Sequence, residues 1–192
     1  MTMRLVLATA VCAIGAAAGV VALVPKSPAS RANFAVLPAA AATAPGFVET
    51  KWPFPMDQWG LGRAFRCGAQ DCGVAVDLYL RPKIGFCNCA TGVADDEELE
   101  RVGDVELLNE KFSAPAPGHP IAVAWMKGRG RIYDVPGRAA GATLSLAFND
   151  HCDVIVAVAT VPDGSAARVE PAVLGFLNSA AVIGWARQVL GL

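Results

Sequence analysis

Large apolar residues recur at every second position in three stretches of this chain. In Val74-Ala75-Val76-Asp77-Leu78-Tyr79-Leu80 the even positions carry them, and in Ile121-Ala122-Val123-Ala124-Trp125-Met126 the odd ones. Leu144-Ser145-Leu146-Ala147-Phe148-Asn149 repeats the pattern, and residues 154–161 form a β-branched run. Alternation of this kind predicts half-buried strands. The intervening positions Ala75, Ala122, Ala124, Ser145, Ala147, Ala157 and Ala159 are small. The pattern therefore predicts a sheet with one bulky face and one small face, packed against a core on one side. Lys127-Gly128-Arg129-Gly130-Arg131 and Asn149-Asp150-His151-Cys152-Asp153 separate successive strands and read as hairpin connections. The sheet is then largely antiparallel.

Two segments have helical character. Asp95-Asp96-Glu97-Glu98 opens the first, with Asp95 at the N-cap and Glu98 three residues later resembling a capping box. Its acids complement the positive helix end, and Leu99, Val102 and Val105 fall on the inward face. The second follows Glu170-Pro171, with proline in its first turn, and runs to about Leu190. Residues 171–186 carry no charge, so most of its circumference needs cover. Phe176, Leu177, Ile183 and Trp185 are its candidate contacts to Val76, Leu78, Val123, Trp125, Leu146 and Phe148. A membrane span is the competing reading, opposed by Asn178, Ser179, two glycines and Arg187, since polar groups are costly in lipid. The fold class is α+β: a largely antiparallel sheet with flanking helices.

Ahead of this domain, residues 5–24 are an unbroken run of 20 uncharged, mostly apolar residues behind Arg4. A helix of that length is about 30 Å long, the thickness of a bilayer's hydrocarbon core. A cleaved signal has a shorter apolar core, ~7–15 residues, followed by a small-residue cleavage site. Here Pro25-Lys26-Ser27-Pro28 follows, and the sites at Ser30-Arg31-Ala32 and residues 39–42 lie far downstream. Residues 1–24 are read as an uncleaved transmembrane signal anchor; cleavage and secretion to the periplasm is the alternative. Cys12 lacks the residues that precede a lipidated cysteine.

Residues 25–46, rich in Pro, Ala, Ser and Thr, read as a spacer, and residues 47–192 as one α+β domain on the periplasmic side of the inner membrane. From residue 33 onward 13 Lys/Arg face 17 Asp/Glu, a net charge of about −4 that argues against a nucleic-acid partner. The membrane is then a partner through the N-terminal helix, and an envelope protein is the further partner this address offers. No motif calls for a cofactor, and the ligand is not legible.

Export bears on the cysteines, because thiols tend to oxidise outside the cytoplasm. Beyond the leader they are Cys67, Cys72, Cys87, Cys89 and Cys152. On a strand, Cys87 and Cys89 would share a face with α-carbons about 6.6 Å apart, so a mutual bond would need a turn. The simplest arrangement pairs both with Cys67 and Cys72, stapling the segments before and after the first strand and leaving Cys152 as the free thiol. Each bridge would contribute ~2–4 kcal/mol. The same four cysteines supply the ligand count of a zinc site, although C-x4-C with C-x-C is a loose match to zinc-ribbon spacing. A redox-active dithiol is the third reading; it needs a lowered thiolate pKa, and no His or Lys adjoins Cys87 or Cys89 in sequence.

Residues 95–110 hold eight carboxylates and one arginine, read as a solvated helical face rather than a calcium loop. Lys127, Arg129 and Arg131 form a basic patch for an anion or a partner; an electrostatic match to the acidic helix is the plainer role. Trp52-Pro53-Phe54-Pro55 and Trp59 form an aromatic-proline strap expected to pack against the core. With only His119 and His151, the chain has no His-rich metal site, and no nucleophile elbow is present.

Trp59-Gly60-Leu61-Gly62-Arg63-Ala64-Phe65-Arg66-Cys67, together with Cys87-Asn88-Cys89 and Asp95-Asp96-Glu97-Glu98-Leu99, resembles a group of exported, membrane-anchored proteobacterial proteins, across most of residues 47–192. The resemblance implies an exported domain and supplies no activity, ligand or catalytic residue. The leading expectation is a non-enzymatic binding or envelope-maintenance module stabilised by disulfides. The alternative is a thiol oxidoreductase or metal-handling protein built on Cys67, Cys72, Cys87 and Cys89.

Overall fold

Period-two alternation produces seven strands among the residues that the computed structural model describes, 46–137, 142–162 and 164–192. The expected anchor at residues 1–24, and the spacer apart from Gly46, lie outside the described residues. The strands are β1 (Phe47–Thr50), β2 (Arg63–Cys67), β3 (Val76–Lys83), β4 (His119–Val123), β5 (Met126–Asp134), β6 (Ala142–Asp150) and β7 (Asp153–Val161). They form one sheet in the order β1-β2-β3-β7-β6-β5-β4, and every neighbouring pair is antiparallel. The helices are α1 (Ala69–Cys72), α2 (Asp96–Val102), α3 (Ala166–Leu177) and α4 (Ala180–Leu190). The architecture is α+β, with an antiparallel sheet and flanking helices.

The bulky face behaves as its pattern predicts. Val76, Leu78 and Leu80 of β3, Leu144, Leu146 and Phe148 of β6 and Ile155 of β7 join Val173, Phe176 and Leu177 of α3 in one buried cluster. Ile183 and Trp185 of α4 pack against its margin. Phe176 stacks on Phe47 at 4.5 Å between ring centroids and meets Phe65 edge-on at 4.9 Å.

The single helix expected to follow Glu170-Pro171 is instead two. Helix α3 starts at Ala166, which puts Pro171 in its interior, and α3 and α4 meet at 67°. Asn178 and Ser179 make the break: the Asn178 amide donates back to the Leu174 carbonyl, and the Ser179 hydroxyl caps α4 by accepting from the Val182 N–H. Among the described residues no single helix is long and apolar enough to cross a membrane.

The expectation of a core on one side only is also corrected. On the small face Ala147, Val154 and Val156 leave room for α2, whose Leu99 and Val102 are fully buried against them. Asp95 caps that helix by accepting from the Glu98 N–H at 2.8 Å, whereas the Glu98 carboxylate turns to Arg101 and the Asn88 N–H rather than closing a capping box. A satellite cluster around Val105, Tyr133 and Val135 continues this layer. The Trp52–Trp59 strap lies on the same face: Trp52 and Phe54 pack edge-on around Tyr79, and Trp59 lies against Phe86.

Under the strap is a buried ion network. Arg81 and Lys83 of β3 are each 2 % exposed and Asp104 is 3 % exposed. Arg81 donates to Asp104 at 2.5 and 2.7 Å and to Asp57 of the strap at 2.8 and 2.7 Å. Lys83 pairs with Asp104 at 2.8 Å and donates to the Val102 and Gly103 carbonyls. Burial alone would lower the Arg81 pKa, but the hydrogen bonds to Asp104 and Asp57 outweigh it and raise it above the ordinary value.

Residues 127–131 were expected to be a hairpin tip, yet they lie inside β5. Gly128 is there for close approach rather than for a turn: a Cβ at that position would strike the Ala147 carbonyl of β6. The actual turn is Ala124-Trp125, with Ala124 in the left-handed region (φ 51°) and its N–H held by the Asn178 side chain at 2.8 Å. Trp125 is thereby taken out of the core contacts expected for it and is 39 % exposed.

Candidate functional site

One end of the sheet gathers most of the chemistry that the sequence singled out. The β6–β7 turn is His151-Cys152, with His151 at φ 51°. Facing it is the loop after β3, which carries Cys87, Asn88 and Cys89. The Asn88 side chain accepts from the Ala90 and Thr91 N–H groups, and the Gly92 N–H returns to the Asn88 carbonyl at 2.7 Å. Gly92 has φ 61°, and a Cβ there would collide with the Asn149 side chain. Asn149 joins the two segments, accepting from the Val93 N–H at 3.0 Å and donating to the His151 carbonyl at 2.9 Å.

The cysteines pair differently from the expectation. Cys67 bonds Cys72 across the single turn of α1, and Cys89 bonds Cys152 across 63 residues. Among the described residues Cys87 is the free, buried thiol, and Cys152, expected free, is bonded. The Cys67–Cys72 segment and the Cys87–Cys89 loop therefore are not stapled together. The cause is the pairing register: Cys67 of β2 lies opposite Val76 at the start of β3, whereas Val154 of β7 lies opposite Lys83 at its end, so the β6–β7 turn meets the loop that follows β3. With these bonds the four-thiolate zinc site does not form, and among the described residues no group of three His, Cys, Asp or Glu side chains is placed to hold a metal.

The basic patch is divided as well. Arg129 pairs with Asp96 and donates to the Gly118 carbonyl, and Arg131 pairs with Glu100 at 2.7 Å and Asp96 at 3.6 Å. These two arginines are the electrostatic match to the acidic helix. The Arg129 hydrogen bond holds the Asp96 carboxyl below its usual range, and Arg101 does the same for Glu98. Lys127 is exposed and, among the described residues, is the one sheet cation without a carboxylate partner.

Lys127, Cys89, Gly92, Trp125, Asn149 and His151 line an open groove of about 270 Å³. The His151 ring is 89 % exposed, with Nδ1 3.0 Å from Asp150. Arg187 of α4 lies over the Trp125 ring at 5.0 Å, adding a second cation beside the groove. A groove of this make-up offers cations and an aromatic face, and neither Cys152 nor Cys87 beside it is an activated nucleophile. The Cys152 sulfur is tied up, and burial, reinforced by Glu98 and Asp153, pushes the Cys87 thiol up to about 11.

Sequence reasoning found the cysteines, His151 and Lys127 but not their assembly. It missed Arg81, Lys83 and Asp57, and it placed Asp104 on a solvated helical face, whereas Asp104 lies beyond the end of α2 and is buried. The available signal was the charged continuation of β3, Arg81-Pro82-Lys83, on positions where the alternation points into the sheet's second face. No protein-family model and no curated protein matches the chain.

Proposed function

We propose that the chain is a non-enzymatic binding module, held at the inner membrane by residues 1–24 with residues 47–192 facing the periplasm, and that its groove receives an anionic group of the ligand. Two disulfides support an oxidising address, since such bonds persist outside the cytoplasm. The observation that carries the binding reading is the distribution of positive charge. Arg63, Arg66, Arg81, Lys83, Arg129 and Arg131 of the sheet all face carboxylates, whereas Lys127 stands open in the groove beside Trp125 and Arg187. An unneutralised cation beside an aromatic face suits an anion carried on an organic body.

The test titrates the full chain in detergent with inorganic phosphate and with a short poly-aspartate peptide, reading tryptophan fluorescence. A saturable change that is lost in Trp125→Phe and weakened at least tenfold in Lys127→Glu is expected. Binding of both probes unaffected by Lys127→Glu would overturn the reading. Cell fractionation tests the tether: the mature protein should stay with membranes, and a soluble periplasmic form beginning near Asn33 or Ala44 would remove it.

A further inference from the structure

Three cysteines meet at the disulfide end of the sheet, and only two are bonded. The third, Cys87, is held against the same turn as Cys152 by two contacts: its N–H donates to the Cys152 carbonyl at 3.1 Å, and its thiol donates to the His151 carbonyl at 3.2 Å. With standard bond lengths, one N–H···O=C bond of 3.1 Å leaves the two α-carbons about 5–6.5 Å apart. Disulfides form over that range, and the existing Cys89–Cys152 pair spans 4.2 Å. Cys152 thus has two cysteines within bonding reach, one buried and one on the groove wall.

We propose that Cys87, Cys89 and Cys152 form an intramolecular thiol–disulfide exchange centre, in which Cys87 displaces Cys89 from Cys152 and leaves Cys89 as an exposed thiol in the groove. The Cys87 thiol gives its proton to solvent and its thiolate attacks the Cys152 sulfur. The Cys89–Cys152 bond breaks, a Cys87–Cys152 bond forms, and Cys89 departs as a thiolate that takes up a proton. One disulfide and one thiol exist before and after, so neither oxidant nor reductant is consumed. The leaving group is well placed, because Cys89 is exposed and shares its groove with Lys127, which favours a thiolate.

The same geometry makes the centre slow at neutral pH. Cys87 is buried, and Glu98 of α2 and Asp153 of β7 face it with negative charge that Arg101 only partly offsets. With a thiol pKa of about 11, roughly one molecule in 10⁴ carries the Cys87 thiolate at pH 7. Exchange therefore accelerates about tenfold per pH unit below that value.

The experiment uses the oxidised full chain in detergent, incubated between pH 7 and 10, quenched in acid, alkylated and mapped by peptide mass. Native labelling should appear at Cys89, at a rate independent of protein concentration and rising about tenfold per pH unit, while a Cys87–Cys152 peptide accumulates. Cys87→Ser should keep the Cys89–Cys152 bridge and abolish that labelling. Cys89→Ser, oxidised during production, should carry a Cys87–Cys152 bridge and no free thiol beyond the leader. Cys89→Ser protein with Cys87 and Cys152 both free, a wild-type chain that never labels at Cys89, or a Cys87–Cys89 bridge in place of Cys87–Cys152 would each overturn the proposal.

Discussion

Removing Asp104 should cost more stability than removing any exposed acid of the domain. Its carboxylate, 4 % exposed at the side chain, is the shared acceptor of two buried cations, taking two hydrogen bonds from Arg81 and an ion pair from Lys83. In Asp104→Ala, Arg81 keeps only Asp57, and Lys83 keeps two carbonyls and the faces of Trp59 and Phe86, each 5.6 Å from its ammonium. Breaking a buried pair by deleting one partner typically costs about 3–5 kcal/mol, because the remaining charge stays desolvated. For a domain of this size that corresponds to a fall in Tm of roughly 10 °C. Glu49→Ala removes the partner of Arg63 from a pair whose two side chains are 31 % and 52 % exposed, so it should cost less than about 1 kcal/mol. Urea unfolding of both variants followed by tryptophan fluorescence gives the comparison. A Lys83→Met, Asp104→Ala double variant should be less destabilised than the sum of the singles, since it removes one of the stranded charges. If Asp104→Ala costs no more than Glu49→Ala, the network is not what holds the strap and the α2 layer to β3.

Phe176→Ala should destabilise by about 3–5 kcal/mol, since the ring is buried between Phe47 and Phe65; a loss below about 1 kcal/mol in urea unfolding would mean that α3 is not packed on the sheet. Stability should fall in acid. Arg129 holds the Asp96 carboxyl, and Arg101 holds that of Glu98, below the ordinary values of 3.8 and 4.5. The folded state therefore binds fewer protons than the unfolded state. Their contribution is complete above those ordinary values and is lost as pH falls through the depressed ones. The urea midpoint should stay level from pH 7 to about 5 and drop below about 4.5, with a shallower drop in Asp96→Asn; an unchanged drop in that variant would contradict the assignment.

The parts legible in the sequence were those where one local rule acted alone. Alternation in β3 and β6, the Asp95 cap and the inward Leu99 and Val102 all follow from spacing. Where two rules shared the same residues, the sequence pointed the wrong way. Gly128 and Gly130 read as turn residues because glycine serves turns, yet here they let β5 lie close to its neighbours. Residues 171–186 read as one helix because no charge interrupts them, and the break came from side-chain hydrogen bonds of Asn178 and Ser179 that apolar periodicity does not register. The cysteine pairing depended on β7 lying beside β3, a fact of topology with no local trace. The groove inherits that dependence, since its walls come from three segments distant in sequence.

The order β1-β2-β3-β7-β6-β5-β4 has a consequence for how the chain is made. Strands β1 to β3 are a local meander, and β4 to β7 are another. They join along one seam where Asp77 to Lys83 face Thr160 to Val154. As synthesis proceeds from the N-terminus, the first meander waits with a bare strand edge until the last strand emerges, and pairings this distant form slowly. Cys67 and Cys72 can close at once, whereas Cys89 must stay reduced until Cys152 arrives across the seam. The second disulfide is a latch on a zip, and its timing matters more than its strength. A chain in which Cys89 is oxidised early to Cys87 leaves Cys152 without a partner and the seam unlatched, so the edges of β3 and β7 stay open for longer to strands of neighbouring chains. Yield of this protein should therefore depend on oxidation lagging behind chain completion.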